Sequence, residues 1–152
     1  MLSTIQSMKK AGFEFRDHTA DVQVRSWGPS LEEAFSQTAY SLMATITPDL
    51  KKISPKIEKK ITIKAEDKEA LLFDFLSEFL YIFDVDELVF SQIDVNKIEK
   101  FNDNYKLQAI LKGEKFDLGK HEIGIEVKAI TYSFMNIEEK HASTIIDIVY
   151  DI

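Results

Sequence analysis

Residues 71–83 limit the architecture more than any other stretch of this chain. Leu71, Leu72, Phe75, Leu76, Phe79, Leu80 and Phe83 recur at helical spacing and cover a wide apolar stripe. Asp67 stands where a helix N-cap is wanted, its carboxylate free to accept amides of the first turn. A helix so apolar cannot lie on a surface, so other elements must wrap it. The same residues could line an aromatic cofactor pocket, but core packing is the simpler reading.

The wrapping elements read mostly as strands. Residues 12–15 form a short strand and 20–27 a longer one, with Ala20, Val22, Val24 and Ser26 alternating against Asp21, Gln23, Arg25 and Trp27. Gly28-Pro29 breaks that strand. Ser30 and Glu33 form a capping box, opening a helix whose Leu31, Ala34, Phe35, Thr38 and Leu42 share one face. Pro48 closes the region. Residues 57–65 alternate apolar and charged side chains as a half-buried strand does. After an acidic turn at 84–87, strands are predicted over 88–97, 105–113, 124–132, 135–140 and 143–151. Two helices among mostly antiparallel strands define an α+β fold. With 152 residues the chain suits one domain over 12–152, preceded by a flexible leader over 1–11.

Several chemistries are excluded at once. The chain has no cysteine, which removes disulfides, thiolate metal sites and thiol nucleophiles. Neither G-x-x-x-x-G-K-S/T nor G-x-G-x-x-G occurs, so the two best-known phosphate cradles are missing. No G-x-S-x-G elbow occurs. His18, His121 and His141 are far apart and form no H-x-x-x-H pair. No apolar run approaches the roughly 20 residues of a membrane span, and no signal-peptide core follows Lys9-Lys10. These absences together favour the cytoplasm and no membrane partner. The net charge of −7 argues against a surface that grips phosphate backbones unaided. One lysine-rich stretch runs through Lys51, Lys52, Lys56, Lys59 and Lys60. It reads more simply as a solvated edge that deters strand pairing than as an RNA contact.

Three polar features remain. Asp17-His18-Thr19-Ala20-Asp21 opens the second strand. If this stretch is extended, four residues at ~3.3 Å each hold Asp17 and Asp21 about 13 Å apart, too far to share one ion. A metal at Asp21 must recruit ligands from elsewhere, unless Asp21 merely caps a turn. The C-terminal strand offers them. Ile146, Ile148, Tyr150 and Ile152 alternate with Asp147, Val149 and Asp151, so Asp151 lies on the polar side, next to the main-chain carboxylate of Ile152. Asp21, Asp151 and Ile152 would then supply oxygen only, a set suited to Ca²⁺, Mg²⁺ or Mn²⁺. The third feature is Lys128, in the segment Lys128-Ala129-Ile130-Thr131-Tyr132. Its ammonium could hold a phosphate or carboxylate of a partner, or snorkel to solvent.

These blocks carry a family resemblance. Gly12-Phe13-Glu14-Phe15-Arg16-Asp17-His18-Thr19-Ala20-Asp21-Val22 looks like the N-terminal motif of the archease family. Trp27-Gly28 and Leu31-Glu32-Glu33-Ala34-Phe35 continue it. Glu69-Ala70-Leu71-Leu72 through Tyr81-Ile82-Phe83-Asp84 resembles the family's central helix. Gly113-Glu114, His121-Glu122 and Glu126-Val127-Lys128-Ala129-Ile130-Thr131-Tyr132 are similar to its most recognisable segment, and the chain ends Asp151-Ile152 as the family does. Ser133 departs from the histidine that many members carry there. The resemblance implies an archease-like domain that activates an RtcB-type tRNA-splicing ligase. Such a helper promotes metal- and GTP-dependent guanylylation of the ligase and its multiple turnover, and catalyses nothing itself. It implies a divalent metal, Ca²⁺ first, at Asp21, Asp151 and Ile152. It places Asp17, His18 and Lys128 in matching motifs without defined roles, with tRNA engaged only through the ligase. A general chaperone or adaptor, requiring an exposed apolar patch, and a metal-dependent phosphoester hydrolase are the alternatives.

Overall fold

A computed structural model describes residues 10–16 and 21–152. Its elements are β1 (Gly12–Arg16), β2 (Asp21–Gly28), α1 (Leu31–Ile46), a 3-10 turn (Leu50–Lys52), β3 (Ile57–Ala65), α2 (Lys68–Asp86), β4 (Leu88–Phe101), β5 (Asn104–Lys115), β6 (Ala129–Ile130), β7 (Asn136–Lys140) and β8 (Ser143–Asp151). The strands form two antiparallel sheets. One runs β1-β2-β8-β6, with β7 pairing the other half of β8, and the second runs β3-β5-β4. Each helix touches strands of both sheets, which gives the expected α+β architecture. No helix among the described residues is long and apolar enough to cross a membrane.

The expected caps are in place. Glu33 N–H donates to Ser30 Oγ at 3.1 Å and Ala70 N–H to Asp67 Oδ1 at 2.7 Å. The stripe of α2 buries Leu71, Leu72, Phe75, Leu76, Phe79 and Ile82, with Phe75, Phe79 and Phe90 meeting edge to face at 5.1–5.9 Å. It is core, as the simpler reading has it. Helix α1 also buries polar residues. Thr38, Ser41 and Thr45 tolerate burial because their hydroxyls bond carbonyls one turn back, at 2.6–2.8 Å. The buried Tyr150 hydroxyl joins them, 2.7 Å from Ser41 Oγ and 3.0 Å from Thr38 O.

One flank of α1 also closes the edge of the second sheet. Ile93 N–H donates to Tyr40 Oη at 2.9 Å, Val95 N–H to Ser36 Oγ at 3.1 Å and Ile98 N–H to Glu32 Oε2 at 3.2 Å. Amides of β4 that would template another chain are thereby engaged.

Two expectations need correcting. The acidic turn at 84–87 is helix through Asp86, and Glu87 ends it in the left-handed conformation at φ 57°, its N–H donating to Phe83 O. The strand expected over 124–132 is reduced to Ala129–Ile130. Gly124 and Ile125 instead donate their amides to Ile46 O and Thr45 O, both at 2.8 Å. They satisfy carbonyls at the end of α1 and leave no ladder to form.

A candidate metal-binding end of the sheet

Strands β2 and β8 are neighbours, and their register fixes the site. Asp21 pairs with Asp151, Val22 with Tyr150, Val24 with Ile148 and Arg25 with Asp147. Val24, Ser26, Ile146, Ile148 and Tyr150 face the core on one side of the pleat. Asp21, Arg25, Asp147 and Asp151 therefore share the other side. Directly opposite residues of an antiparallel pair hold their Cβ atoms about 4.5–5.5 Å apart.

Charged groups sit at two places along that face. Arg25 forks onto Asp147, with Nε–Oδ1 at 2.8 Å and Nη2–Oδ2 at 3.1 Å. The Asp147 hydrogen bond raises the guanidinium's pKa further. At the end of the ladder Asp21 stands opposite Asp151, both half-buried. Two aspartates on one face offer oxygen donors alone, the kind that hard divalent cations take. With 129 residues of chain between the two aspartates, their direct opposition emerges from the register of the sheet.

Asp151 is held from its other side as well. Ala129 of β6 is its register partner, and Lys128 N–H donates to Asp151 O at 2.7 Å. The Lys128 side chain is exposed, lines a groove described below, and forms no ion pair among the described residues. Ile152 follows Asp151 and is half-buried. Asp17 and His18 lie outside the described residues, as do Thr19 and Ala20. Among the described residues no group of three or more His, Cys, Asp and Glu side chains is placed to hold a metal. The site as described thus consists of the aspartate pair, with Ile152 beside it.

A second polar cluster went unnoticed in the sequence, although Glu114 and His121 fall in matching blocks. Glu114 is buried, and its Oε2 accepts from Lys120 Nζ at 2.7 Å and Ser54 N–H at 2.8 Å, with His121 Nε2 at 2.9 Å. His121 Nδ1 accepts from Asp117 N–H at 2.9 Å. Its proton must then be on Nε2, donating to Glu114. The Lys120 bond, followed by the Ser54 amide, holds Glu114 down at about 2. A carboxyl depressed in the fold adds stability that is complete above its ordinary value near 4.5 and disappears as pH falls toward 2. Its lysine partners face solvent, so the contribution is about 1–2 kcal/mol. Glu114→Gln is therefore expected to lower stability at pH 7 and to flatten the acid limb of a pH–stability profile between 4.5 and 2. Urea unfolding across that range checks it; a limb as steep as the wild type's would assign the acid sensitivity to other groups.

The lysine-rich stretch resolves into ion pairs. Lys52 meets Glu122 at 3.6 Å, Lys56 meets Glu114 at 3.9 Å and Lys59 meets Asp86 at 3.0 Å. Three of its five ammonium groups are thus answered by the protein's own carboxylates, which suits a solvated edge.

Two helices packed with two antiparallel sheets define an α+β domain, with Asp21 opposite Asp151 at one end of the β2–β8 ladder. The chain belongs to the archease family: the archease protein family (MTH1598/TM1083) matches it over residues 13–152. It is 46% identical over 127 residues to the protein archease of Pyrococcus abyssi, covering 84% of this chain and 88% of that one. The solution structure of Methanobacterium thermoautotrophicum protein 1598 superposes with a TM-score of 0.81 at 33% identity, covering 93% and 99% of the two chains. A Thermotoga maritima crystal structure, described as an archease and possible chaperone, gives a TM-score of 0.57 at 22% identity, covering 90% and 94%. That last likeness concerns the fold alone.

Proposed function

We propose that this protein is a non-catalytic activator of an RtcB-type tRNA-splicing ligase, acting in the cytoplasm and presenting a divalent metal at the end of its central ladder. The observation that carries the reading is the Asp21–Asp151 register pair, in a chain of the archease family. In this reading Asp21 and Asp151 supply carboxylate oxygens to the ion, and a main-chain oxygen of Ile152 supplies a third group. Asp17, His18 and Lys128 support the site or meet the partner. The ion is Ca²⁺ or, with stricter octahedral geometry and retained waters, Mg²⁺ or Mn²⁺. When bound, such an ion neutralises phosphate charge during nucleotidyl transfer. The chain's own part is to hold the donors on a rigid ladder, because Lys128 N–H and the β2 pairing fix Asp151 from both sides. The ligase would hold the RNA, which suits the net charge of −7 and the paired lysines.

Multiple-turnover RNA ligation at substoichiometric ligase, with GTP and Mn²⁺, tests this. Wild type is expected to raise the amount of product well above one equivalent of ligase. Asp21→Ala, folded by circular dichroism, should leave ligation near its unassisted level. Equal stimulation by the two proteins would sink the role of the carboxylates, and none by either would sink the activator reading.

A second reading draws on a specific observation. Leu118, Ile123 and Tyr81 are large apolar side chains left exposed on one side of the molecule, as a chaperone for varied clients requires. Protection of unrelated proteins from thermal aggregation at stoichiometric ratios, without ligase stimulation, would favour it.

A further inference from the structure

A groove of about 680 Å³ runs between the last turns of α2 and the segment 116–128. Its walls carry apolar side chains that the fold leaves uncovered: Tyr81 is 62% exposed, Leu118 71%, Ile123 73% and Ile125 49%. Exposed apolar side chains on a loop are unremarkable when the loop is loose, and this loop is not. Phe116 N–H donates to Glu87 O at 2.7 Å, and its ring packs between Phe83 and His121 at 5.6–5.7 Å. The Glu114–His121–Lys120 cluster ties down the middle of the loop. Gly124 and Ile125 are bonded to the end of α1, and Lys128 to Asp151. At Gly124 a Cβ would lie 2.1 Å from Thr45 O, so the backbone is pressed against the helix. The apolar wall is thus built in advance of any ligand.

Its shape and charge decide what it fits. Small-molecule sites enclose most of their ligand, whereas these side chains stand half or more open to water, as in a groove that receives the apolar face of a helix or extended segment. Asp84 and Glu126 line the groove and form no ion pair among the described residues; Lys128 is the one cation facing them there. Two unanswered carboxylates beside an apolar floor call for apolar anchors flanked by Lys or Arg. The groove also continues to Lys128, one residue from β6 and bonded to Asp151, so its occupant lies next to the carboxylate end.

We infer that this groove docks an amphipathic, basic-flanked segment of the protein partner, which rests on the reading that the partner is the RNA ligase. The probes are the purified ligase and the full chain, with affinity measured by calorimetry. Leu118→Asp/Ile123→Asp alters only solvent-facing side chains, so the fold should persist. The double variant is expected to bind at least tenfold more weakly while keeping the wild-type rise in melting temperature on adding Ca²⁺. Asp84→Lys should weaken binding most at low salt. Phe101→Asp, at the exposed tip of the β4–β5 hairpin, should bind as wild type does.

Wild-type affinity in the double variant would overturn the groove and leave the activator reading standing. No binding by the wild-type chain would overturn both. Equal weakening by Phe101→Asp would also overturn the groove, as would a concentration-dependent dimer of the wild type that the double variant abolishes.

Discussion

A single methyl group added at Gly113 is expected to prevent stable folding. Gly113 lies on β5, the central strand of its sheet, opposite Ile57 on one side and Phe90 on the other. The pairing of β4 slips between Phe90 and Gln92, next to this position. A Cβ at Gly113 would lie 1.8 Å from Val89 O and 2.7 Å from Phe90 Cα. Both are backbone atoms, so no rotamer change relieves the overlap. One of the two strands must move, and Val89 and Phe90 are fully buried in the core against which it would shift. The cost belongs with the rare substitutions above about 4 kcal/mol, comparable to the whole stability of an ordinary domain. Gly113→Ala should be insoluble or lack a cooperative melt. Gly119→Ala supplies the contrast, because its Cβ meets only the flexible Asp117 Oδ1 at 3.3 Å. That variant should lie within about 0.5 kcal/mol of wild type. A cooperative melt of Gly113→Ala near the wild-type temperature would show that the two strands separate more easily than their packing implies.

What could be read from the sequence divides along the range of the forces involved. The caps Ser30 and Asp67 act within three residues, and both make the expected bond. The strands at 57–65 and 143–151 are bounded as their alternation indicates, because one face of each is buried and the period is visible. Alternation misled at 124–132, where Ile123, Ile125 and Val127 mimic a strand while the backbone amides serve the carbonyls of Thr45 and Ile46. No local pattern records that a helix end eighty residues earlier lacks partners. The edge-closing side chains Glu32, Ser36 and Tyr40 were invisible for the same reason, since their acceptor role exists only once β4 lies alongside. Parity placed Asp151 on the polar side of β8, so its candidacy was legible. Its opposition to Asp21 depends on the pairing order of the sheet, which parity does not contain. Gly113 and the Glu114–His121 cluster likewise acquire their meaning from neighbours distant in sequence.

On the proposed reading, the aspartate pair should make stability respond to divalent cations in a way that one substitution removes. Asp21 and Asp151 stand opposite each other across β2 and β8. A cation that binds the folded chain alone stabilises it by RT ln(1 + [L]/Kd), about 4.1 kcal/mol at a thousandfold excess over Kd. At about 2–4 °C per kcal/mol for a domain of this size, the melting temperature in saturating Ca²⁺ should rise by roughly 8–16 °C over that in chelator. Asp151→Asn keeps the size and the β8 backbone bonds but removes one charge. It should respond little to Ca²⁺. The response is read as a difference between the two buffers within each protein, so a general loss of packing, which lowers both melts alike, cannot imitate its loss. Scanning calorimetry of the two proteins in both buffers decides the matter. Equal calcium shifts in both would remove the ladder end as the metal site.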